Sequence, residues 1–124
     1  MTTGRFAGKK AVVTRNYDDG NKVLLTSFQK HKFPHLLVVG IARNPQRVHR
    51  KINKKKFIKK TGVKTFLKAV NQNHVMPTRF LVNDFDFKEV KEDNLKGENR
   101  VALKKKFRKA FSEVYRNLPN PKTN

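Results

Sequence analysis

Apolar residues in the first third of the chain fall into three short runs that predict β-strands. The runs cover residues 11–14, 22–26 and 35–42. Residues 18–21, Asp-Asp-Gly-Asn, separate the first two runs, and Gly20 suits a turn that requires positive φ. Short runs divided by turn residues are typical of an antiparallel meander or barrel. We expect the first two runs to pair as a hairpin. The segment between them is longer than a two-residue loop, so the sequence leaves the register of the pairing open.

The middle of the chain has a mixed pattern. Residues 63–70 fit both helical spacing and strand alternation, so periodicity alone does not decide between the two. Pro77 interrupts whatever precedes it. Residues 79–82 are then predicted to form a further strand, and the alternation of Phe and Asp at 85–87 suggests a half-exposed strand or edge.

The C-terminal region has the clearest helical pattern. Apolar residues between positions 103 and 118 recur at intervals of three and four, with Lys and Arg on the other faces. The pattern predicts a helix over residues 100–117, with Asn99 as its N-cap and Pro119 marking its end. Residues 120–124 are expected to be disordered in the isolated protein.

Two changes in composition suggest how the chain is organised. Residues 43–60 contain nine Lys or Arg in eighteen positions, which predicts a basic loop with a short helix near 54–60. Residues 88–98 hold four of the nine acidic residues and have the composition of a linker. The predicted units are a β domain over 1–87 with a basic loop inserted at 43–62, a linker over 88–99, and a basic helix and tail over 100–124.

The charge balance limits the kinds of partner. The 124 residues include 30 Lys and Arg against 9 Asp and Glu, a formal net charge of +21. This length fits one domain and excludes a multi-domain enzyme. A charge of this size is normally offset by a polyanion. We therefore expect the partner to be nucleic acid, with acidic lipid a distant second.

Other classes of site have little support. Without Cys the chain has no disulfide and no thiolate-bound metal. His31 and His35 have the spacing of a helical metal pair, but Pro34 and the β pattern around them oppose that geometry. Asp18 and Asp19 fit a turn better than a catalytic pair. We expect no enzymatic activity, metal, cofactor or small-molecule substrate.

Membrane association is not expected either. No apolar stretch of the signal-peptide type follows the first five residues. The most apolar segment, residues 36–42, has seven residues, whereas a membrane span needs about 20.

The ten Phe residues suggest two different roles. Phe57 lies among the basic residues of 54–60, where its ring could stack on an unpaired base. Filling a small core is the more ordinary role for Phe, and we expect it for most of the ten.

Several stretches of the sequence resemble one known family. Residues 4–13, Gly-Arg-Phe-Ala-Gly-Lys-Lys-Ala-Val-Val, resemble the KOW motif of RNA-associated proteins. Residues 73–79 form the more specific string Asn-His-Val-Met-Pro-Thr-Arg. With the run 35–41 and the lysines of 54–56, these stretches make the chain similar to the eukaryotic type of large-subunit ribosomal protein twenty-seven. The resemblance is close over residues 4–83 and loose over the final helix.

This resemblance implies a mainly β fold with α: a small SH3-like (KOW) β-barrel, a basic loop and a C-terminal α-helix. It implies that the partners are large-subunit ribosomal RNA and neighbouring large-subunit ribosomal proteins, in cytoplasmic ribosomes assembled through the nucleus and nucleolus. It implies no enzymatic activity. By position, the RNA-contacting residues would be Arg5, Lys9, Lys10, Arg43, Arg47, Lys54, Lys55, Lys56, Lys64, His74, Arg79, Lys104, Lys105 and Lys106.

The basic segments add further candidates for RNA contact, and several small or rigid residues are candidates for turns. Clustered Lys and Arg neutralise phosphates and release condensed counterions. The further RNA candidates are His49, Arg50, Lys51, Lys59, Lys60, Arg108 and Lys109. The candidate turn residues are Gly8, Gly20, Gly40 and Pro77.

Two departures from the family pattern bear on the barrel and the tail. Family members usually begin with a further Val- and Leu-rich strand, where this chain has only Met-Thr-Thr, so it stays open whether the barrel has its first strand. The chain also ends without the family's aromatic-bearing basic tail, and both shortenings suggest a reduced ribosome.

The alternative function is that of a KOW-module RNA-binding factor in transcription or RNA processing. A DNA-packaging protein is disfavoured because its typical repeats and groove-reading helix are missing.

Overall fold

A three-stranded antiparallel sheet forms the centre of the fold. A computed structural model describes residues 1–17 and 33–118. The strands are β1 (Ala11–Tyr17), β2 (His35–Arg43) and β3 (Lys64–Asn71), in the order β1-β2-β3. Strand β2 is therefore central, with an antiparallel neighbour on each side.

The structure tests most of the predicted strands. The predictions at 11–14 and 35–42 are confirmed by β1 and β2, and the ambiguous segment 63–70 is a strand. The second predicted run, at 22–26, and the turn at Gly20 lie outside the described residues, as does Pro119. The predicted fold class, mainly β with α, is confirmed. The strands of the described residues form a three-stranded sheet, which does not by itself establish the predicted barrel.

One α-helix lies within the basic loop and a second follows the acidic segment. Helix α1 spans Lys54–Lys60 and helix α2 spans Gly97–Asn117, while short 3₁₀ turns lie at Gln72–His74 and Glu92–Leu95. Both predicted helices are thus confirmed. The prediction of Asn99 as N-cap is wrong, because α2 begins at Gly97, three residues before the predicted start, and its N-cap residue, Lys96, makes no side-chain capping hydrogen bond.

Polar groups join α2 to β3 and the residues before it at four levels, in antiparallel order. Between Arg100 and Lys104, four helical residues advance about 6.0 Å while their two-residue step along β3 advances about 6.6 Å, so helix and strand stay in step there. The next contact is eight helical residues further on. The contacts are Arg100 Nη2 to Leu67 O (3.1 Å), Thr65 Oγ1 to Lys104 O (3.1 Å), Val63 N to Ser112 Oγ (3.1 Å) and Arg116 Nε to Thr61 Oγ1 (3.0 Å).

The main apolar core lies between the sheet and α2. Leu37 and Val39 of β2 point to this side and are completely buried, and Phe107 of α2 packs with them. Val90, from the segment predicted as a linker, is also completely buried here. Arg15 of β1 donates to the carbonyl of Val90 at 2.8 Å, which fixes that segment against the sheet.

The opposite face of the sheet is covered by the N-terminal segment. Phe66 of β3 lies over Gly40, where a Cβ atom would come within 2.5 Å of the ring. Gly40 is thus inside β2 rather than in a turn, and close packing explains why it has no side chain. Phe6 stacks on Phe66 with ring centroids 4.1 Å apart. Gly8 has a φ of 74°, which suits the turn that leads into β1.

The predicted strands at 79–82 and 85–87 are wrong. Both segments are irregular in the structure. Phe85 packs edge-on against Phe111, with ring centroids 4.8 Å apart, and Phe87 stacks on Phe107 at 5.4 Å. These aromatic contacts draw the chain onto α2 and away from the sheet edge. Pro77 lies in the irregular segment before them.

Candidate nucleic-acid interface

Helix α1 displays a dense set of cations. The Asn53 side chain accepts a hydrogen bond from Lys55 N at 3.1 Å and so caps the first turn. Phe57 is partly buried, and no residue of the helix is fully buried. The exposed lysines of this helix are Lys54, Lys55, Lys56 and Lys59.

A helix this short is not stable alone, and the protein fixes its C-terminal end. Thr61 follows the helix and is buried, and its Oγ1 donates to Phe57 O at 2.8 Å. Arg116, from the last turn of α2, donates to Thr61 Oγ1 at 3.0 Å and to Ile58 O at 3.2 Å. The two helices are thereby held as one cationic unit.

A shallow cleft of about 310 Å³ lies between α1 and the end of β2. The backbone N–H of Gln46 donates to Lys60 O at 2.9 Å and holds the two walls together. Arg43, Lys59 and Lys60 place three cations on the cleft, and Asn44 and Gln46 add amide groups. This chemistry suits an anionic and hydrogen-bonding ligand such as a sugar-phosphate backbone.

Four cations from three segments meet around Lys104. Thr65 holds the Lys104 backbone and Arg100 donates to Leu67 O, so α2 is fixed over β3. Partial burial lowers the pKa of Lys104 from its usual 10.5. The positive charges of Arg100, Arg5 and Lys64 lower the pKa further. We call these four residues the cation cluster.

Like charges held together in the free protein cost stability, and an anion relieves that cost. Arg5 is also stacked over the Phe6 ring, 4.7 Å from its centroid, and Phe6 rests on Phe66. The Arg5 guanidinium is therefore positioned by aromatic packing, and among residues 1–17 and 33–118 it forms no ion pair with an acidic side chain. The chemistry of the cation cluster suits an anionic ligand.

Lys104→Met is expected to stabilise the free protein near neutral pH, because it removes repulsion and keeps the alkyl stem. The pKa of Lys104 is lower in the folded protein than in the unfolded chain, so the charged side chain destabilises the folded state near neutral pH. This destabilisation is lost as Lys104 loses its proton, and the stability of the unsubstituted protein therefore rises as the pH approaches 10.5. The difference in unfolding free energy between Lys104→Met and the unsubstituted protein should therefore become smaller between about pH 7 and about pH 10.

Urea unfolding at the two pH values measures this difference. Lys105→Met removes the same charge from the next, exposed position and serves as the matched control, with a smaller gain expected. Near neutral pH, the urea concentration at the unfolding midpoint should be higher for Lys104→Met than for Lys105→Met. An equal or lower midpoint for Lys104→Met would contradict the repulsion between Lys104 and the other cations of the cluster.

The outer face of α2 extends the cationic surface. Lys105, Arg108 and Lys109 are exposed. Lys106 is exposed as well, but its Nζ pairs with Glu89 Oε1 at 2.6 Å, which offsets part of its charge. Exposed pairs of this kind contribute little to stability, so a phosphate could displace Glu89.

The structure places the other predicted residues on separate segments. Arg47, His49, Arg50 and Lys51 are exposed on the irregular stretch between β2 and α1. Lys10 is exposed and Lys9 partly exposed just before β1, and His74 is exposed at the end of a 3₁₀ turn. Arg79 lies among exposed apolar residues, with its guanidinium 6.0 Å from the Phe80 ring centroid.

Sequence reasoning missed two arginines that organise this surface. Arg100 joins the cation cluster and Arg116 fixes α1. A usable pattern was present, since positions 100, 104, 108, 112 and 116 follow the four-residue spacing of one helix face.

One region departs from the positive charge of the rest. Residues 76–98 contain four Lys or Arg against six Asp or Glu, a net charge of −2 in a chain of +21. Glu92 is hydrogen-bonded to His35, whose ring stacks on Tyr17 with centroids 4.9 Å apart. The acidic residues are thus concentrated where few of the predicted RNA-contacting residues lie.

Metal clusters and membrane-spanning helices are both missing from the described ranges, 1–17 and 33–118. No three His, Asp or Glu side chains within them come together as metal ligands. His31, the partner of His35 in the possible metal pair, lies outside these ranges. No helix within them is long and apolar enough to cross a membrane.

Comparison with known proteins assigns the chain to a family. The model of the ribosomal L27e protein family matches residues 1–121, almost the whole chain. The chain belongs to the ribosomal L27e protein family. The resemblance found in the KOW-like stretch and in residues 73–79 is therefore confirmed. This family consists of structural ribosomal proteins rather than enzymes.

Curated relatives within the L27e family match over most of their length. The large ribosomal subunit protein eL27 of Tetrahymena thermophila is 45% identical over 123 residues, which covers 98% of this chain and 80% of the relative. The protein of the same name from Pyrobotrys stellatus is 40% identical and covers 97% of this chain and 84% of the relative. The large ribosomal subunit protein eL27B of Saccharomyces cerevisiae is 41% identical, and the match covers 91% of this chain and 79% of the relative.

Proposed function

We propose that this protein is a structural constituent of the large (60S) ribosomal subunit that binds ribosomal RNA and supports translation. Its curated relatives are named as large ribosomal subunit proteins. RNA binding would take place on one cationic surface, formed by α1, the cleft beside it, the cation cluster and the outer face of α2. We call this surface the cationic face.

The observation that carries the proposal is the cation cluster. There, the positive charges of Arg100, Arg5 and Lys64, from three segments of the chain, lower the pKa of Lys104 in addition to the effect of its partial burial. A protein retains such a cluster when a polyanion neutralises it, and RNA supplies phosphates at the required density. Arg5 can bind phosphate through two donors, whereas Lys64 and Lys104 act as point charges. Arg100 adds positive charge, but its Nη2 is bonded to Leu67 O and its Nε is buried.

The sheet would act as the scaffold for this surface. Three antiparallel strands, the turn at Gly8 and the closely packed Gly40 are compatible with a KOW-type SH3-like barrel. Recognition would depend on RNA shape and backbone more than on base edges, because the surface offers mainly Lys and Arg. Neighbouring large-subunit proteins would complete the binding site. The protein would act in cytoplasmic ribosomes, after assembly in the nucleus and nucleolus.

Ultraviolet cross-linking of native large subunits, followed by mass spectrometry of the peptides, tests the proposal. RNA adducts are expected on peptides from residues 43–60 and 97–117, and not on peptides from 84–96. Adducts confined to residues 84–96, or none from residues 43–60, would contradict the proposed face.

A further inference from the structure

A strip of exposed apolar side chains follows the 3₁₀ turn that comes after β3. Met76 is 76% exposed, Phe80 77% and Leu81 87%, whereas Phe66 in the core is 1% exposed. Val82, 41% exposed, continues the strip. Large apolar side chains concentrated in seven consecutive residues are typical of an interaction site. We call residues 76–82 the apolar strip.

Both ends of the strip are fixed to the folded domain. Val75 packs against the cluster of Val38, Phe66 and Val70 on one face of the sheet. Its N–H donates to Gln72 O at 3.3 Å. At the other end, Phe85 packs on α2. The strip therefore crosses between two anchored points, which limits the ordering entropy that a partner must offset.

The charges that follow the strip are unlike those of the cationic face. Asp84 and Asp86 come two and four residues after Val82 and are both exposed. They belong to the region of residues 76–98, whose net charge is −2. Carboxylates beside an apolar surface repel a phosphate backbone and attract Lys and Arg.

We propose that the apolar strip is a docking site for a neighbouring basic protein, which receives Phe80 and Leu81 in an apolar pocket rimmed by Lys or Arg. The inference rests on the proposed place in the large subunit, where such a neighbour is at hand. Aromatic and aliphatic side chains that enter a pocket usually supply most of the affinity of an interface. Asp84 and Asp86 pair with the basic rim and set the orientation.

RNA is the competing occupant, because Phe80 could stack on an unpaired base and Arg79 could contact a phosphate. The arrangement disfavours it. The Arg79 guanidinium lies over the Phe80 ring and contributes one cation to a strip followed by two exposed carboxylates. On the cationic face, by contrast, one helix presents four exposed lysines.

Site-specific photo-cross-linking in assembled large subunits tests the docking site. The variant Phe80→p-benzoyl-phenylalanine places the reactive group in the strip, and Ile58→p-benzoyl-phenylalanine places it on α1, at a half-exposed apolar position of the cationic face. The Phe80 variant is expected to give an adduct with a ribosomal protein, at a peptide of apolar residues flanked by Lys or Arg. The Ile58 variant is expected to give an adduct with ribosomal RNA.

The two positions separate the failure of this inference from the failure of the proposed function. A Phe80 adduct with RNA, with a second copy of this chain or with an acidic peptide overturns the docking site, and so does the absence of any Phe80 adduct. An Ile58 adduct with protein alone counts against the cationic face instead. Leu81→photo-leucine repeats the measurement with a smaller probe and must identify the same partner peptide.

Discussion

Changing Lys54, Lys55 and Lys56 together to Glu is expected to abolish incorporation of the protein into large subunits. The three side chains are exposed on one short helix, and the change alters its charge by six units. Because three phosphates would no longer be neutralised, the slope of log affinity against log salt should become shallower by roughly 2 to 3. A single Lys→Ala change should have little effect, because each phosphate contact is one of many.

The acidic region offers a matched control for charge reversal. Lys88, Lys91 and Lys96 are also exposed, and changing them to Glu alters the charge equally at a distance from α1 in the sequence. Incorporation is measured as the fraction of tagged protein that sediments with large subunits. Normal incorporation of the first triple variant would contradict a role for α1 in binding. Equal loss with both triple variants would show that total charge rather than the cationic face determines binding.

Phe107→Ala is expected to unfold much of the free protein. Phe107 is 3% exposed and stacks on Phe87, and it joins α2 to the buried residues of β2. Truncation of a buried Phe costs about 3–5 kcal/mol. Small domains are stable by only about 5–15 kcal/mol, and repulsion within this chain lowers that margin further.

Phe80→Ala is the matched control for the truncation of Phe107. The same side chain is removed, but from a position that is 77% exposed, so the stability of the free protein should change by less than about 0.5 kcal/mol. Urea unfolding followed by circular dichroism compares the two variants. Similar midpoints for both would contradict the core described between the sheet and α2.

Much of the fold was predictable where one face of an element meets the core. The three- and four-residue spacing in α2 follows from its packing on the sheet, and the continuous apolar run of β2 follows from burial on both faces. Segment 63–70 is ambiguous in sequence because its pairing with the central strand decides its conformation. Phe66 and Leu67 are adjacent, and both are buried, one on each face.

Other features depend on contacts that a sequence pattern does not show. The strand predicted at 79–82 does not form, and the rings of Phe85 and Phe87 pack on α2 rather than extending the sheet. The prediction of a turn at Gly40 is wrong, because the approach of Phe66 is what excludes a side chain there. The basic residues of the candidate site were recognisable by composition, but Arg100 and Arg116 required the docked position of α2.

Sedimentation of the native protein from a cell lysate, before and after a high-salt wash, tests the central claim most directly. Phosphate contacts alone weaken as salt rises. Retention through the wash would therefore require the basic segments to be enclosed among RNA helices and neighbouring proteins, in addition to the contacts made by α1, α2 and the cation cluster. Co-migration with large subunits is expected in both conditions. Release at moderate salt, or migration with small RNA complexes, would contradict the central claim and favour a peripheral RNA-binding factor.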